Sequence, residues 1–457
     1  MTIDAPEPGW AEQAPTAWWE HAKAATAKLA SSAGVSLADV GGIGISYQMH
    51  GLVLVDRAGA VLRPAIIWCD SRAVEIGHRA FEALGNKRCL ESLLGSPGNF
   101  TASKLAWVRE HEPEVFERAH RFMLPGDYFA FRLTGRMATT VPGLSEGLFW
   151  DFSKNRVASF LLDHLGLSET LIPDVVPTFG EQGRLTEAAA RELGLPEGTP
   201  VAYRAGDQPN NALSLNVLEP GEIAATAGTS GVVYGVSDEL RADPTSRVNG
   251  FAHVTHSAEA TRLGILLCIN GAGSANRWLR QTLSEDYETL NTLAAEVAAG
   301  ADGLQFFPFG NGAERVLENR NPGAGLARLN FNVHSREHLA RAVQEGVAFS
   351  FRYGMDILAE LGMRPSVMRA GLANMFLSPV FRDALSASSG VSLELYRTDG
   401  AEGAARGAAV GTRYYASFAE AFAGLEREAT VGPDPSRVSE YEGHYGRWAR
   451  ELEARLR

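Results

Sequence analysis

A chain of 457 residues is several times what one core requires, so a single small module is excluded and two large domains, or about three smaller ones, are expected. Hydrophobic residues make up 45% and charged residues 21%, and no stretch approaches the roughly 18 uninterrupted apolar residues of a membrane span, which excludes the disordered and membrane-embedded classes. Forty-two Lys and Arg against 54 Asp and Glu leave a formal charge of -12, a balance that repels nucleic acid and anionic bilayers.

Residues 1–13 are acidic, contain prolines and lack an apolar core, so no secretory signal is expected there. Pro15 then opens a helix carrying Trp18, Trp19, Ala22 and Leu29. Residues 43–47 and 52–55 read as short strands, and the turn at Asp56-Arg57-Ala58-Gly59 returns the chain through Val61 and Leu62, which predicts a meander. Helical periodicity dominates from about Arg72 to Leu195. Cys69, Cys89 and Cys268 lie far apart with no Cys-x-x-Cys, so neither a disulfide framework nor a thiolate zinc site is expected, and a reducing cytoplasm fits.

Residues 200–206 read as a strand, after which Asp207-Gln208-Pro209 supplies an N-cap and an early proline for a helix reaching Asn216. Residues 222–227 and 232–234 pair as strands through Gly228-Thr229-Ser230-Gly231, with the domain boundary near residue 217. Ser335 caps a helix whose apolar positions follow the i, i+3, i+4, i+7 pattern. A strand over 366–371 breaks at Gly371, a helix covers about 378–385, a strand 391–395, and a small-residue helix 401–412.

Glycine pairs at Gly42/Gly44, Gly271/Gly273 and Gly310/Gly312 each lack the third glycine of a dinucleotide fingerprint, and no Gly-Lys-Ser/Thr supplies a P-loop. His334 and His338 stand at i and i+4 without a third ligand, so a helix start is the simpler reading and no metal site is assigned. His253 and His256 read as a solvated pair at a strand end. Three features remain open between two readings. Gly228 to Gly231 is an ordinary hairpin or a loop whose N–H groups and hydroxyls meet phosphate oxygens. Gly371 with Ala373 and Asn374 is a left-handed break or a surface approached by a nucleotide base. Asp207 is a helix cap or, at a strand's carboxyl end, a group facing ligand. Together in one chain they favour phosphoryl transfer.

Several segments occur in a telling order: Pro8 to Gln13 with Trp18-Trp19, Ser46-Tyr47-Gln48-Met49-His50-Gly51, Leu62 to Arg72, and Phe100-Thr101-Ala102-Ser103-Lys104-Leu105-Ala106-Trp107. Gly325-Leu326 through His334, Arg336 with residues 338–342, and Glu345-Gly346-Val347-Ala348-Phe349 follow. In that order they resemble the motifs of the FGGY family of carbohydrate kinases over nearly the whole chain, and within it the xylulokinase branch. Asn99 stands where glycine is more usual, and Gln208 where many members have Asn.

The resemblance implies an α/β, two-domain actin-like (ribonuclease H-like) fold with a central cleft that closes over its substrates, residues 1–216 binding sugar and 217–457 binding nucleotide. It implies ATP-dependent phosphorylation of a ketopentose, D-xylulose to D-xylulose 5-phosphate; ribulose, another ketose or a polyol, or a sugar-binding pseudokinase, are the alternatives. Asp207 becomes the catalytic base, and Met49, His50, Asp207 and Gln208 the sugar contacts. Gly228, Thr229 and Ser230 become a phosphate loop, and Gly371 and Asn374 the adenosine segment. An Asp of ordinary pKa, about 3.9, is ionised and suffices for the base. ATP and Mg2+ are the implied cofactors, with no metal site built from protein alone. The implied partners are a small sugar and MgATP, not nucleic acid or membrane, in the cytoplasm, and a homodimer is admitted. The match begins at Pro8, whereas the family opens on a strand ending in Asp-x-Gly-Thr. An incomplete N-terminal sheet with residues 43–47 at its edge, and weak MgATP binding, are therefore expected.

Overall fold

Two sheets organise the chain in the computed structural model, which describes residues 2–32 and 34–457. The first consists of β1 (Ile43–Tyr47), β2 (Phe179–Arg184) and β3 (Pro200–Gly206), in the order β2-β3-β1, with β3 antiparallel to β2 and parallel to β1. In β1 the buried Ile45 and Tyr47 alternate with exposed Ser46, the period of a strand with one face on a core, and that core includes Trp19, Leu124 and Leu133. β3 is enclosed on both faces; its Arg204 is 1% exposed and is tolerated there because Asp127 meets its Nε at 3.0 Å.

The expected meander is corrected. The turn at Asp56–Gly59 forms, and the Leu62 N–H donates to the Leu54 carbonyl at 2.9 Å, but residues 53–55 pair with residues 121–123 rather than with β1. β1 is instead an outer strand whose hydrogen-bonded neighbour, β3, lies more than 150 residues along the chain.

The second sheet is mixed and seven-stranded: β4 (Ile223–Ala227), β5 (Gly231–Ser237), β6 (Asn249–Ala252), β7 (Leu263–Ile269), β8 (Val367–Gly371), β9 (Ser392–Tyr396) and β10 (Arg427–Val431), in the order β6-β7-β5-β4-β8-β9-β10. β4, β8 and β9 run parallel, so their carboxyl ends open on one edge. β4, β5 and β7 are apolar on both faces, and each buried side chain such as Leu267 or Ile269 contributes about 1.5–3 kcal/mol. The helix Arg336–Glu360 begins at Ser335, the cap the sequence predicts, and the Ser335 N–H also donates to His338 Nδ1 at 3.2 Å. The helix Pro435–Arg455 closes the far side, where buried Trp448 donates its Nε1–H to the Phe306 carbonyl at 2.8 Å and stacks on Phe307 at 5.3 Å.

The helix Gly400–Gly411 follows β9 yet packs on the first sheet. Gly403, Gly407 and Gly411 lie on one stripe of it. A β-carbon at Gly407 would meet the Tyr203 ring at 2.6 Å, one at Gly403 the Ser214 side chain at 2.7 Å, and one at Gly411 would overlap the Ala202 carbonyl. Bare backbone is therefore what lets this helix lie against β1 and β3. The pair His253 and His256 is also corrected: His253 is fully buried with Nδ1 3.0 Å from the Tyr234 hydroxyl, and that burial drives its pKa down to about 3. A strand-end position here faces protein, not solvent.

Candidate active site

Tyr47 and Gly206 are register partners at the carboxyl ends of parallel β1 and β3, so the chain leaves both strands at the same edge of the sheet. Gln48-Met49-His50 follows one exit and Asp207 the other. This is the sheet edge where ligands of α/β proteins sit. A β-carbon at Gly206 would stand 2.5 Å from Met49 Cγ and 2.5 Å from Glu146 Oε2, so only glycine lets these three approach.

Asp207 is not the helix cap. Gly206 holds the cap position and Asp207 is the first residue of the helix Asp207–Ser214, because β3 runs one residue further than a capping aspartate would allow. Its side chain opens on the cleft and is met by Gln208 Nε2, 3.3 Å from Oδ2. Burial by the surrounding walls raises its pKa above the ordinary carboxylate value, opposed by bonds from Gln208 and nearby backbone N–H groups. The ordinary value expected from sequence is corrected in that direction. Gln208 Oε1 is buried without a protein partner, an acceptor left over for a ligand.

His50 sits between two rings, edge-on to Phe100 at 4.8 Å and tilted against Phe251 of β6 at 5.3 Å. Its Nδ1 lies 2.9 Å from the Glu146 carbonyl, and since a carbonyl only accepts, Nδ1 carries the proton and Nε2 is left as an acceptor. Burial, then the charge of Lys104, hold its pKa near 3, so the ring is neutral. Lys104 is itself fully buried, its Nζ donating to the carbonyls of His50 and Ile67 at 2.9 Å each, and burial lowers its pKa to about 7. Arg315, in the short 3-10 helix Arg315–Leu317, stands 5.7 Å over the Phe100 ring and adds its charge to the surroundings of His50.

On the second sheet a cavity of about 530 Å³ opens beside the carboxyl end of β4. Gly228, Thr229 and Asn374 line it; Ser230 and Gly371 do not. The left-handed residue of the 371–374 segment is Asn374, with φ 53°, not Gly371. The loop is held by the start of the helix Ala272–Leu283: Gly273 N–H donates to the Gly228 carbonyl at 2.8 Å and Ser274 N–H to the Thr229 carbonyl at 3.0 Å. Arg277, Tyr287, Glu288 and Asn291 are among the other residues of the cavity wall. Sequence reasoning missed them. The available signal was the Gly271/Gly273 pair, which failed as a dinucleotide fingerprint but marks this close backbone approach.

Other polar groups are not brought in. Asp70, in the segment Leu62 to Arg72, is fully buried, its oxygens taken by the Arg72 side chain and the Ala11 N–H. His334 and His338 have both ring nitrogens engaged, with Asn330, Asp302 and Ser335. Among the described residues no group of three or more His, Cys, Asp or Glu side chains is placed to hold a metal ion.

Near the loop, fully buried Glu314 accepts the Asn270 N–H with both oxygens, at 3.2 and 3.0 Å, and burial lifts its pKa from 4.5 to about 7. The unfolded chain gives up this proton at the lower pH and the folded chain keeps it to the higher, so this group makes stability fall as pH rises from 4.5 to about 7. Glu314→Gln is therefore expected to gain in Tm relative to the parent between about pH 5 and pH 8. A parent–variant Tm difference that is the same at both ends would contradict this.

Residues 1–214 match the FGGY family of carbohydrate kinases, N-terminal domain, and residues 223–414 its C-terminal domain. The chain is 31% identical over 447 residues to the xylulose kinase of Escherichia coli (strain K12), covering 97% of this chain and 90% of that one. The crystal structure of xylulose kinase from Rhodospirillum rubrum superposes with a TM-score of 0.88 at 29% identity, over 99% of this chain and 92% of that one. A structure of gluconate kinase from Lactobacillus acidophilus also reaches 0.88, at 20% identity, over 100% and 92%. At that distance only the fold is shared, and the fold alone does not choose the sugar.

Proposed function

Because the chain belongs to the FGGY family of carbohydrate kinases, we propose that it transfers the γ-phosphoryl group of ATP to a hydroxyl of D-xylulose, releasing ADP and D-xylulose 5-phosphate. The observation that carries this is the paired exit of Met49-His50 and Asp207 from β1 and β3, together with the cavity that the Gly228–Thr229 loop lines on the second sheet. The xylulose kinases among its relatives support the choice of sugar.

In this mechanism residues 1–216 hold the sugar and residues 217–457 the nucleotide, except that the helix Gly400–Gly411 backs the sugar side. Nε2 of His50 accepts from a sugar hydroxyl, Gln208 Oε1 accepts from a second, and Met49 forms an apolar wall. The attacking hydroxyl passes its proton to Asp207 as its oxygen bonds the γ-phosphorus and the bond to ADP breaks. The Gly228–Thr229 loop faces the phosphates while Asn374, with Arg277 and Asn291 across the cavity, borders the rest of the nucleotide. Magnesium takes oxygen donors and keeps much of its water, so it would be held here mainly by phosphate oxygens and water and leave Asp207 free as the base. When bound it neutralises charge on the phosphate oxygens. We place this activity in the cytoplasm; the three thiols are free, and no helix among the described residues is long and apolar enough to cross a membrane.

ADP release measured with xylulose, ribulose, gluconate and glycerol tests the substrate. Xylulose is expected to exceed each of the others in kcat/KM by at least about tenfold, since buried polar groups left unpaired penalise the wrong hydroxyl pattern. A higher value for any of the three would replace xylulose as the substrate.

A further inference from the structure

His50 has a φ of 61°, in the left-handed region that a residue with a β-carbon occupies only where its surroundings hold it. Three contacts do so. Its N–H donates to Glu146 Oε1 at 3.3 Å, its carbonyl accepts from Lys104 Nζ at 2.9 Å, and its ring Nδ1–H donates to the Glu146 carbonyl at 2.9 Å. Two of the three come from one residue. Glu146 is 1% exposed and ends the short helix Val141–Glu146, which Thr140 caps through Oγ1 and which Ser145 ties to β6, its Oγ accepting the Ala252 N–H at 2.9 Å. The next residue of β6 inward, Phe251, is the ring against His50, so one helix sets both the imidazole and its apolar wall.

We propose that Glu146 is a positioning residue for sugar recognition, its carboxyl fixing the left-handed backbone of His50 so that the ring stays bonded to the Glu146 carbonyl and presents a bare Nε2 to the sugar. This rests on the reading of His50 as a sugar contact. A buried carboxyl here serves as an acceptor and not as a counter-charge. Burial is the first cause of its strongly raised pKa, with Asp207 and Asp127 adding to it, and the bond from the His50 N–H only opposes the shift. The neutral acid still accepts through its carbonyl oxygen, and so does an amide. Charge is therefore dispensable and the acceptor is not.

Four proteins decide this: the parent, Glu146→Gln, Glu146→Met and His50→Ala. Xylulose binding without nucleotide is read by calorimetry, kcat and KM by ADP release, and the His50 tautomer by 15N-histidine NMR, its signals assigned by their loss in His50→Ala. Glu146→Gln is expected to hold the xylulose Kd within about threefold and keep the Nδ1–H signature. Glu146→Met, similar in length but without an acceptor, is expected to raise Kd and KM at least about tenfold with kcat changed much less, and to shift the His50 signals toward a mixture of tautomers. Should the methionine variant fail to fold, Glu146→Ala carries the same comparison. A non-accepting variant with the parent's Kd and an unchanged tautomer overturns the proposal while His50→Ala still loses xylulose binding. Unchanged binding by His50→Ala overturns the sugar-site reading and this inference with it.

Discussion

Asp207→Asn is expected to lower kcat by about 10²- to 10⁴-fold while xylulose affinity changes little, because the amide keeps the shape and still accepts from Gln208 but cannot take the hydroxyl proton. The raised pKa adds a second signature. Turnover in the parent should fall with acid at a pH above that of a free aspartate, since Asp207 must be ionised to act and burial makes it hold its proton longer. That acid limb is absent from whatever activity Asp207→Asn retains. A substantial fraction of parental turnover in the variant would leave Asp207 as no more than a first-turn carboxylate, worth about 0.3–1 kcal/mol to its helix. Matching Tm values, measured in parallel, separate that loss from the loss of a base.

Much of this arrangement was legible in sequence where chemistry and geometry are local. The hairpin from β4 to β5 is written in two apolar runs around Gly228-Thr229-Ser230-Gly231, and the helix after Ser335 in its capping residue and apolar period. What was not legible depends on contacts between distant segments. The pairing of β1 with β3 joins residues more than 150 apart, and a parallel neighbour leaves no turn to read. Without that pairing the sequence reads Ile43–Tyr47 as part of a meander, although the motif that follows it, Gln48-Met49-His50, stands out. Glu146 shows the other limit. In sequence it is one acidic residue at a helix end, ordinarily a solvated position; only the fold places it beneath Gly206 and against His50. Arg277 and Asn291 belong to two separate helices and meet at a cavity that neither helix encodes alone. The one-residue shift at Asp207 matters for function: as a cap its carboxylate would turn back to its own helix, and as the first helical residue it faces the cleft.

Gly273→Ala is expected to raise KM for ATP by at least about tenfold while leaving xylulose binding in the absence of nucleotide unchanged. A β-carbon at Gly273 would overlap the Gly228 carbonyl, which the Gly273 N–H already holds at 2.8 Å. The neighbour is backbone and cannot rotate away, so the 228–229 loop must move off the start of the helix, taking with it the cavity wall proposed to face the phosphates. Overpacking of this kind typically costs about 1–3 kcal/mol, and a lower Tm is expected as well. Gly228→Ala provides the contrast from the other side of the same contact. A β-carbon there meets only Asn374 Nδ2, at 3.7 Å, so the hydrogen bonds from Gly273 and Ser274 survive and Tm should stay close to the parent's. Its methyl enters the cavity, so any loss should appear in ATP affinity and not in stability. If Gly228→Ala proves the more destabilising of the two, or Gly273→Ala keeps the parent's KM for ATP, the loop is not held by the helix start and its place beside the phosphates must be abandoned.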